Sequence, residues 1–198
     1  EIYVNLDGWI SHSEAYGVIS DYPTRLNFVF KEKPKIFKLL ILDVDGVMTD
    51  GTKTYDVEHR IASKRYCDKD FTAIKRFLSS GIPVVLLSGC GFNNLMAVKR
   101  GLKFYNAKSI SNQLDKTVAA QKICQDFGLT LDQVAYVGDD YYDLSLLREV
   151  GWSYCPADAA QIVKENVKCV LPKRGGENVI EALYESVKAN LAQRYPYE

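Results

Sequence analysis

Residues 39–51 read LLILDVDGVMTDG, an unbroken apolar run that leads into two aspartates and a glycine. A strand buried on both faces of a parallel sheet has this pattern, and open α/β sheets bind ligands beyond the carboxyl ends of such strands. Strand side chains alternate between faces, but residues at a frayed strand end can converge on one ligand. Asp43 and Asp45 are therefore predicted to lie at the functional edge of a sheet.

Strand and helix patterns alternate after this point. Strands are predicted at 36–42, 82–87, 103–106, 134–138, 152–155 and 167–171. Helices are predicted at 70–80, 92–101, 115–127, 141–150, 157–165 and 177–192, with Gly81 and Gly128 ending two of them. This alternation predicts an α/β fold: a doubly wound, Rossmann-like parallel sheet with right-handed crossovers.

The spacing between the motifs leaves no room for a separate cap domain. Residues 52–66 are polar and rich in β-formers, which predicts a β-hairpin flap after the first core strand. Only 42 residues separate Asp45 from Ser88, and 27 separate Ser88 from Lys116. The predicted elements fill both intervals. The site is therefore expected to be open unless a neighbouring subunit covers it.

The composition fits one core domain with an extension. The chain has 198 residues, of which 47% are hydrophobic, and 25 basic residues balance 25 acidic ones. This balance gives no electrostatic footprint for nucleic acid or for an acidic membrane. No apolar run approaches the roughly 18 residues of a membrane span. Five cysteines, an odd number without close metal-binding pairs, favour free thiols and a cytoplasmic location.

Residues 1–35 differ from the rest of the chain. They end in a polar stretch, residues 31–34, that has the character of a linker. We predict an N-terminal extension of unknown role over 1–35 and a core domain over 36–198. Docking on the core or on a neighbouring subunit is the default expectation for the extension.

Three further groups follow the aspartate pair in a fixed order. Ser88-Gly89 follows one predicted strand, Lys116 opens a helix, and Gly138-Asp139-Asp140 follows another strand, with Asp143 three residues later. This order resembles the haloacid dehalogenase superfamily of phosphohydrolases, over about residues 36–185. The chain is most similar to capless sugar-acid phosphatases, those of octulosonate and nonulosonate (sialic-acid type) phosphates. Pro156-Ala157-Asp158-Ala159 and Gly175-Gly176 add to the resemblance.

The resemblance implies an aspartyl-phosphate mechanism. Asp43 would be the nucleophile, and Asp45 the general acid and base that protonates the leaving oxygen and then activates water. Mg²⁺ would be held by the side chains of Asp43 and Asp139 and by the backbone carbonyl of Asp45. Such a cation is needed because the charge around phosphorus must be cancelled before an anionic nucleophile approaches.

Other residues are expected to support these three. Ser88 and the Gly89 amide would bind the phosphoryl oxygens, and Lys116 would neutralise the charge of the transition state. Asp140 and Asp143 would act behind the metal ligands or through water. Capping of the 141–150 helix is the alternative role for Asp143.

The substrate pocket departs from the related enzymes. Cys90, Val98 and Glu181 stand where relatives carry arginine, which puts the binding of a sugar-acid carboxylate in doubt. Lys69 and Asp70 are predicted to contact substrate. Positive charge could come instead from the following residues, with surface charge as the alternative interpretation: Lys64, Arg65, Lys69 and Lys75.

The predicted function is therefore Mg²⁺-dependent hydrolysis of a small phosphorylated sugar or sugar acid. The resemblance also implies a homo-oligomer, a tetramer in which the hairpin of a neighbouring subunit covers the site. The alternative is a non-catalytic oligomerisation or interaction domain of a nucleotide-sugar (sialic acid) activating system. In such domains the acidic residues of the motifs are replaced by others, whereas Asp43, Asp45 and Asp139 are present here.

Overall fold

The computed structural model describes residues 36–111 and 115–194, together with the backbone of four strands within the first 35 residues. The chain forms two compact units, Glu1–Lys35 and Ile36–Glu198. In the first unit, four strands pair in sequence order as an antiparallel sheet. They are β1 (Tyr3–Val4), β2 (Trp9–His12), β3 (Ala15–Asp21) and β4 (Arg25–Val29).

The second unit is built on a six-stranded parallel sheet. Its strands are β5 (Leu39–Leu42), β8 (Val84–Ser88), β9 (Lys103–Asn106), β10 (Val134–Val137), β11 (Trp152–Cys155) and β12 (Cys169–Val170). Two further strands, β6 (Thr54–Tyr55) and β7 (Ile61–Ser63), form a separate antiparallel hairpin. The order across the sheet is β12-β11-β10-β5-β8-β9. All neighbouring pairs are parallel, which confirms the predicted fold class.

Helices cover both faces of this sheet. They are α1 (Asp68–Ser79), α2 (Asn93–Lys99), α3 (Ala107–Ser111), α4 (Thr117–Phe127), α5 (Leu144–Glu149), α6 (Gln161–Lys164) and α7 (Val179–Arg194). Leu40 and Leu42 of β5 pack in one core with residues of α1 and α7. Leu39 and Ile41 pack in a second core with residues of α4 and α5. Because β5 is buried on both faces, its sequence is apolar without alternation.

Several elements are shorter than their patterns predict. The predicted helix 141–150 begins as a 3-10 turn, Tyr141–Asp143, because the Asp140 carboxylate caps this turn, and α5 follows. The predicted helix 157–165 shrinks to α6, and the helix α3 is not predicted at all. Gly128 ends α4 in the left-handed conformation, as predicted.

Among the described residues, no helix combines the length and the apolar character that a bilayer crossing requires. The cytoplasmic location stays a prediction.

The β6–β7 hairpin confirms the predicted flap, and the side chains of Tyr55 and Val57 on it are exposed.

Candidate active site

A cavity of about 440 Å³ opens at the carboxyl edge of the parallel sheet. Strands β8, β5 and β10 lie side by side there, and Ser88, Asp43 and Asp139 are at or just beyond their ends. The cavity brings together eight of the residues predicted for the site: Asp43, Asp45, Ser88, Gly89, Lys116, Asp139, Asp140 and Asp143.

Lys116 links two buried carboxylates at the floor of the cavity. Its Nζ lies 2.8 Å from Oδ2 of Asp43 and 2.6 Å from Oδ1 of Asp143. Burial favours the neutral amine, but the two carboxylates outweigh it and raise the pKa of Lys116 above its usual value. Lys116 therefore carries a fixed positive charge beside Asp43, and its role in neutralising a phosphoryl transition state stays a prediction.

Asp143 is held by four donors. Its Oδ1 accepts from the Tyr136 hydroxyl at 2.6 Å as well as from Lys116, and its Oδ2 accepts from the backbone N–H groups of Asp139 and Asp140, both at 3.0 Å. The contact with the Asp140 N–H belongs to the capping of the 3-10 turn. Asp143 thus takes part in capping the 3-10 turn and pairs with Lys116, while its role behind the metal ligands or through water stays a prediction.

Asp43 and Asp139 bring more negative charge to the site than the Lys116 ammonium balances. Oxygens of Asp43, Asp139 and Asp143 lie within 4.8 Å of one another, and Oδ1 of Asp139 is buried without a hydrogen-bond partner in the described chain. Burial raises the pKa of Asp43 to about 7, against the opposing effect of Lys116. Burial and the nearby Asp43 carboxylate raise the pKa of Asp139 to about 8.

These residues fit a hard divalent cation. A cation of this kind prefers carboxylate oxygens, and its charge would stabilise the ionised carboxylates, which burial disfavours. Asp143 accepts four contacts, from Lys116, Tyr136 and two backbone N–H groups. The oxygens of Asp43 accept one contact each, from Lys116 and from the Val44 N–H at 2.7 Å, and Oδ1 of Asp139 has no partner within the described residues. Asp43 and Asp139 are therefore the carboxylates with lone pairs left for a cation. Asp140 is more exposed, and its Oδ1 accepts from the Tyr141 N–H at 2.7 Å.

Ser88 is oriented by two donors. Its Oγ accepts from the Cys90 N–H at 3.1 Å and from Nδ2 of Asn93 at 3.0 Å. Because Oγ of Ser88 acts as the acceptor in both contacts, its hydroxyl proton can still be donated. No acceptor for this proton lies within the described residues. Asn93 is fully buried and was not predicted, since an asparagine at a helix start carries no signal of its own in a single sequence.

Asp45 is held from the other side by the hairpin. Lys64, which follows β7, forms an ion pair with Oδ1 of Asp45, and its side chain is completely buried. The surface interpretation of Lys64 is therefore wrong. Lys53 lies further away, with Nζ at 3.9 Å from Oδ2 of Asp45.

Two predicted substrate residues lie outside the cavity lining. Asp70 is buried, and its Oδ1 accepts from the backbone N–H groups of Ile180 at 2.8 Å and Glu181 at 3.2 Å. The prediction for Asp70 is thereby corrected: it caps the start of α7, where orphan N–H groups need an acceptor. Lys69 is exposed in the first turn of α1, and its contact with substrate stays a prediction.

The three positions at which the resemblance leads us to expect arginine lie in different places. Cys90 lines the cavity beside Gly89. Val98 is exposed on α2, and Glu181 is half-buried in the first turn of α7. Cys90 is therefore the one of these three that faces the cavity.

Comparison with known proteins identifies the family. A family model described as haloacid dehalogenase-like hydrolase matches residues 92–183. The 3-deoxy-D-manno-octulosonate 8-phosphate phosphatase of Haemophilus influenzae is 32% identical over 159 residues, which cover 79% of this chain and 86% of the relative. The chain belongs to the haloacid dehalogenase-like hydrolases. The resemblance drawn from the motifs is confirmed.

Solved structures agree with this assignment. The cobalt-bound deoxy-D-mannose-octulosonate 8-phosphate phosphatase of H. influenzae matches with a TM-score of 0.72 and 30% identity, covering 81% of this chain and 92% of that one. The 3-deoxy-D-manno-octulosonate 8-phosphate phosphatase of Moraxella catarrhalis, in complex with magnesium, phosphate and the sugar acid, matches with a TM-score of 0.71 and 26% identity, covering 82% and 92%. This haloacid dehalogenase-like hydrolase thus shares its core with metal-bound enzymes.

Proposed function

We propose that the chain is a Mg²⁺-dependent phosphatase that hydrolyses a small phosphorylated sugar acid through an aspartyl-phosphate on Asp43. One observation carries the proposal: the Asp43 carboxylate lies 2.8 Å from the Lys116 ammonium and close to the Asp139 carboxylate, whose buried Oδ1 has no hydrogen-bond partner within the described residues. A carboxylate between a fixed cation and a cation-binding oxygen suits attack on a phosphate dianion. The names of the relatives support the substrate class.

Mg²⁺ is the proposed cation because the available ligands are oxygens. The side chains of Asp43 and Asp139 and the backbone carbonyl of Asp45 would hold it, a small ligand set of the kind that Mg²⁺ accepts. When bound, it would neutralise charge on the phosphoryl oxygens. The complexes of two relatives contain cobalt or magnesium, so the choice of Mg²⁺ is to be tested directly.

The reaction divides between two aspartates. A carboxylate oxygen of Asp43 attacks phosphorus, and the bond from phosphorus to the sugar oxygen breaks as Asp45 gives that oxygen a proton. Water then attacks the aspartyl-phosphate and passes a proton back to Asp45. Phosphate leaves and the Asp43 carboxylate is restored.

The phosphoryl group would be bound by three donors. The Ser88 hydroxyl has its proton free, the Gly89 N–H lies at the same strand end, and Lys116 is fixed by Asp43 and Asp143. Donors held before the reaction cost little reorganisation in the transition state.

The rest of the cavity would hold the sugar. Its volume of about 440 Å³ lies within the usual range for small-molecule sites, roughly 300–1,000 Å³. Lys53, Lys108 and Tyr142 line it together with Cys90. The two lysines would supply positive charge for an anionic substrate, because position 90 is a cysteine here and not the arginine expected from the resemblance.

The cover of this open cavity would come from an oligomer. The proposed state is a homotetramer, with the β6–β7 hairpin of a neighbouring subunit closing the site. A two-stranded hairpin is marginally stable alone, so it favours a partner surface.

The experiment is a panel of phosphate esters assayed with Mg²⁺. Wild-type protein is expected to hydrolyse p-nitrophenyl phosphate and, faster, a sugar-acid phosphate, and to lose both activities in chelator. Asp43→Asn provides the background control, because it removes the nucleophile. No turnover on any ester, or turnover that persists in chelator, would reject this function, and the first result would favour the interaction-domain alternative.

A further inference from the structure

Lys64 has an unusual environment for a lysine. Its side chain has no exposed surface, whereas lysines are almost never fully buried unless they are paired. Its Nζ contacts Oδ1 of Asp45, Oδ1 of Asn93 at 2.7 Å and Sγ of Cys90 at 3.5 Å. The three ammonium protons therefore have three acceptors, and the Lys64 head group has one well-defined position.

The two oxygens of Asp45 differ in how they are held. Oδ1 receives the Lys64 ammonium. Within the described residues, the one donor to Oδ2 is Nδ2 of Asn93, at 3.3 Å, and the Lys53 ammonium lies 3.9 Å away. Both of these contacts are longer than a good hydrogen bond. Oδ1 of Asp45 is thus anchored, whereas Oδ2 is only weakly hydrogen-bonded. The Asp45 side chain lines the cavity.

Asn93 connects this anchor to the phosphate end of the site. Its Oδ1 accepts from Lys64 and from the Tyr66 hydroxyl at 3.2 Å, and its Nδ2 donates to Oγ of Ser88 at 3.0 Å. Asp45 and Ser88 therefore share one buried amide as a donor, and the contacts with Tyr66 and Ser88 hold that amide independently of Lys64. These contacts set the position of Asp45, the proposed proton donor, relative to the phosphoryl group.

We propose that Lys64 is a positioning residue for Asp45: it anchors Oδ1 so that Oδ2 carries the proton that passes to the leaving sugar oxygen. The inference rests on the proposed phosphatase function. In the first step the proton moves from Oδ2 of Asp45 to the sugar oxygen as its bond to phosphorus breaks. In the second step Oδ2 takes a proton from the attacking water. Lys64 keeps its own protons throughout.

This role predicts a dependence on the leaving group. A sugar alkoxide is a poor leaving group and needs the proton, whereas p-nitrophenolate leaves without it. General acid catalysis is typically worth about 10²–10⁴-fold, and misplacement of the acid forfeits part of that gain. A residue that only stabilises the fold would lower the turnover of both esters together.

The test compares Lys64→Met with the matched control Lys75→Met. Lys75 is exposed on α1 and lies outside the cavity lining, as its surface interpretation requires. Each variant is assayed with a sugar-acid phosphate and with p-nitrophenyl phosphate at saturating Mg²⁺. For Lys64→Met we expect the single-turnover rate of alcohol release from the sugar ester to fall by about 10- to 100-fold, with KM nearly unchanged. The single-turnover rate of p-nitrophenol release should stay within about twofold of wild type, because only the first step depends on the leaving group. Lys64→Gln, whose amide can still donate to Oδ1, should recover part of the loss. Lys75→Met should change neither ester.

A second comparison uses the Asp45→Asn background. If Lys64 acts through Asp45, adding Lys64→Met to Asp45→Asn should cost nothing further on the sugar ester. Equal losses on both esters, a change confined to KM, or additive losses in the double variant would overturn the proposal. Failure of both Lys64→Met and Lys64→Gln to fold, judged by circular dichroism, would assign Lys64 to structure and overturn it as well. An inactive wild type would instead reject the underlying function.

Discussion

A Cβ atom on Gly46 would lie 2.0 Å from Oδ2 of Asp139. The absence of a side chain at position 46 therefore makes the space that the Asp139 carboxylate occupies beside Asp43. Gly46 also has a φ of +89°, a conformation that other residues adopt only with strain. Gly46 is thus as necessary to the geometry of the proposed cation site as the aspartates are.

The variant Gly46→Ala is expected to lose the cation site. Its methyl group must displace Asp139, so Mg²⁺ affinity by titration calorimetry and phosphatase activity should both fall by at least about tenfold. Gly101→Ala is the matched control, because Gly101 has a φ of +68° and no heavy atom lies within 4 Å of the place its methyl group would take. That variant should show only the backbone cost, about 1–2 kcal/mol in the free energy of unfolding, with normal Mg²⁺ affinity. Equal Mg²⁺ affinities in the two variants would contradict the steric argument.

The variant Lys116→Met leaves two buried carboxylates, Asp43 and Asp143, without their common cation. Removal of one partner from a buried ion pair typically costs about 3–5 kcal/mol, and we expect a loss of this order in urea unfolding of the metal-free protein at neutral pH. Adding Asp143→Asn to Lys116→Met should cost less than Asp143→Asn costs in wild type, since the charge it removes is no longer paired. Strictly additive losses would show that Lys116 and Asp143 are not coupled.

Most of the fold follows from local pattern. The apolar run of β5, with no polar residue before Asp43, predicts a strand buried on both faces, and the packing of Leu39 to Leu42 into two cores confirms it. The placement of Asp43, Ser88 and Asp139 at neighbouring strand ends follows from the general rule for parallel sheets. These features depend on residues close in sequence.

What the sequence does not reveal depends on distant contacts. Asp70 looks like a charge beside Lys69, but it is buried because the N–H groups of Ile180 and Glu181, 110 and 111 residues away, need an acceptor. Lys64 looks like a surface charge on a polar hairpin, yet the hairpin folds back and buries it against Asp45. Tertiary context decides both cases, and no periodicity signals it.

Mg²⁺ binding should depend on pH in a defined direction. In the metal-free site, burial raises the pKa of Asp43 to about 7 and that of Asp139 to about 8. Protons therefore compete with the cation, so calorimetry should show weaker Mg²⁺ binding and more protons released at about pH 6 than at about pH 9. Because both pKa values are raised above that of an unfolded aspartate, the metal-free fold should lose stability as the pH rises from about 4 through 7 to 8. Affinity that is constant between pH 6 and 9 would contradict the assignment of the two ligands.

The two aspartates of the first motif should differ when each is changed to asparagine. Asp43→Asn removes the nucleophile and a cation ligand, so it should abolish turnover and weaken Mg²⁺ binding. Asp45→Asn leaves its backbone carbonyl in place, so Mg²⁺ affinity should stay close to that of wild type while kcat on a sugar ester falls by about 10²–10⁴-fold. Equal losses of Mg²⁺ affinity in the two variants would argue against this division of roles.

The tip of the β6–β7 hairpin should be a subunit contact. Val57 is 97% exposed and Tyr55 is 55% exposed in the single chain, on a hairpin that is marginal without a partner surface. The double variant Tyr55→Ser/Val57→Ser should weaken the tetramer in sedimentation experiments and lower kcat/KM on a sugar ester more than on p-nitrophenyl phosphate, because the small ester gains little from a cover. Ile162→Ser, an exposed apolar residue of α6, is the matched control and should leave assembly unchanged. A wild-type protein that is monomeric and fully active would reject the oligomeric site, while a tetramer unaffected by the double variant would place the contact elsewhere.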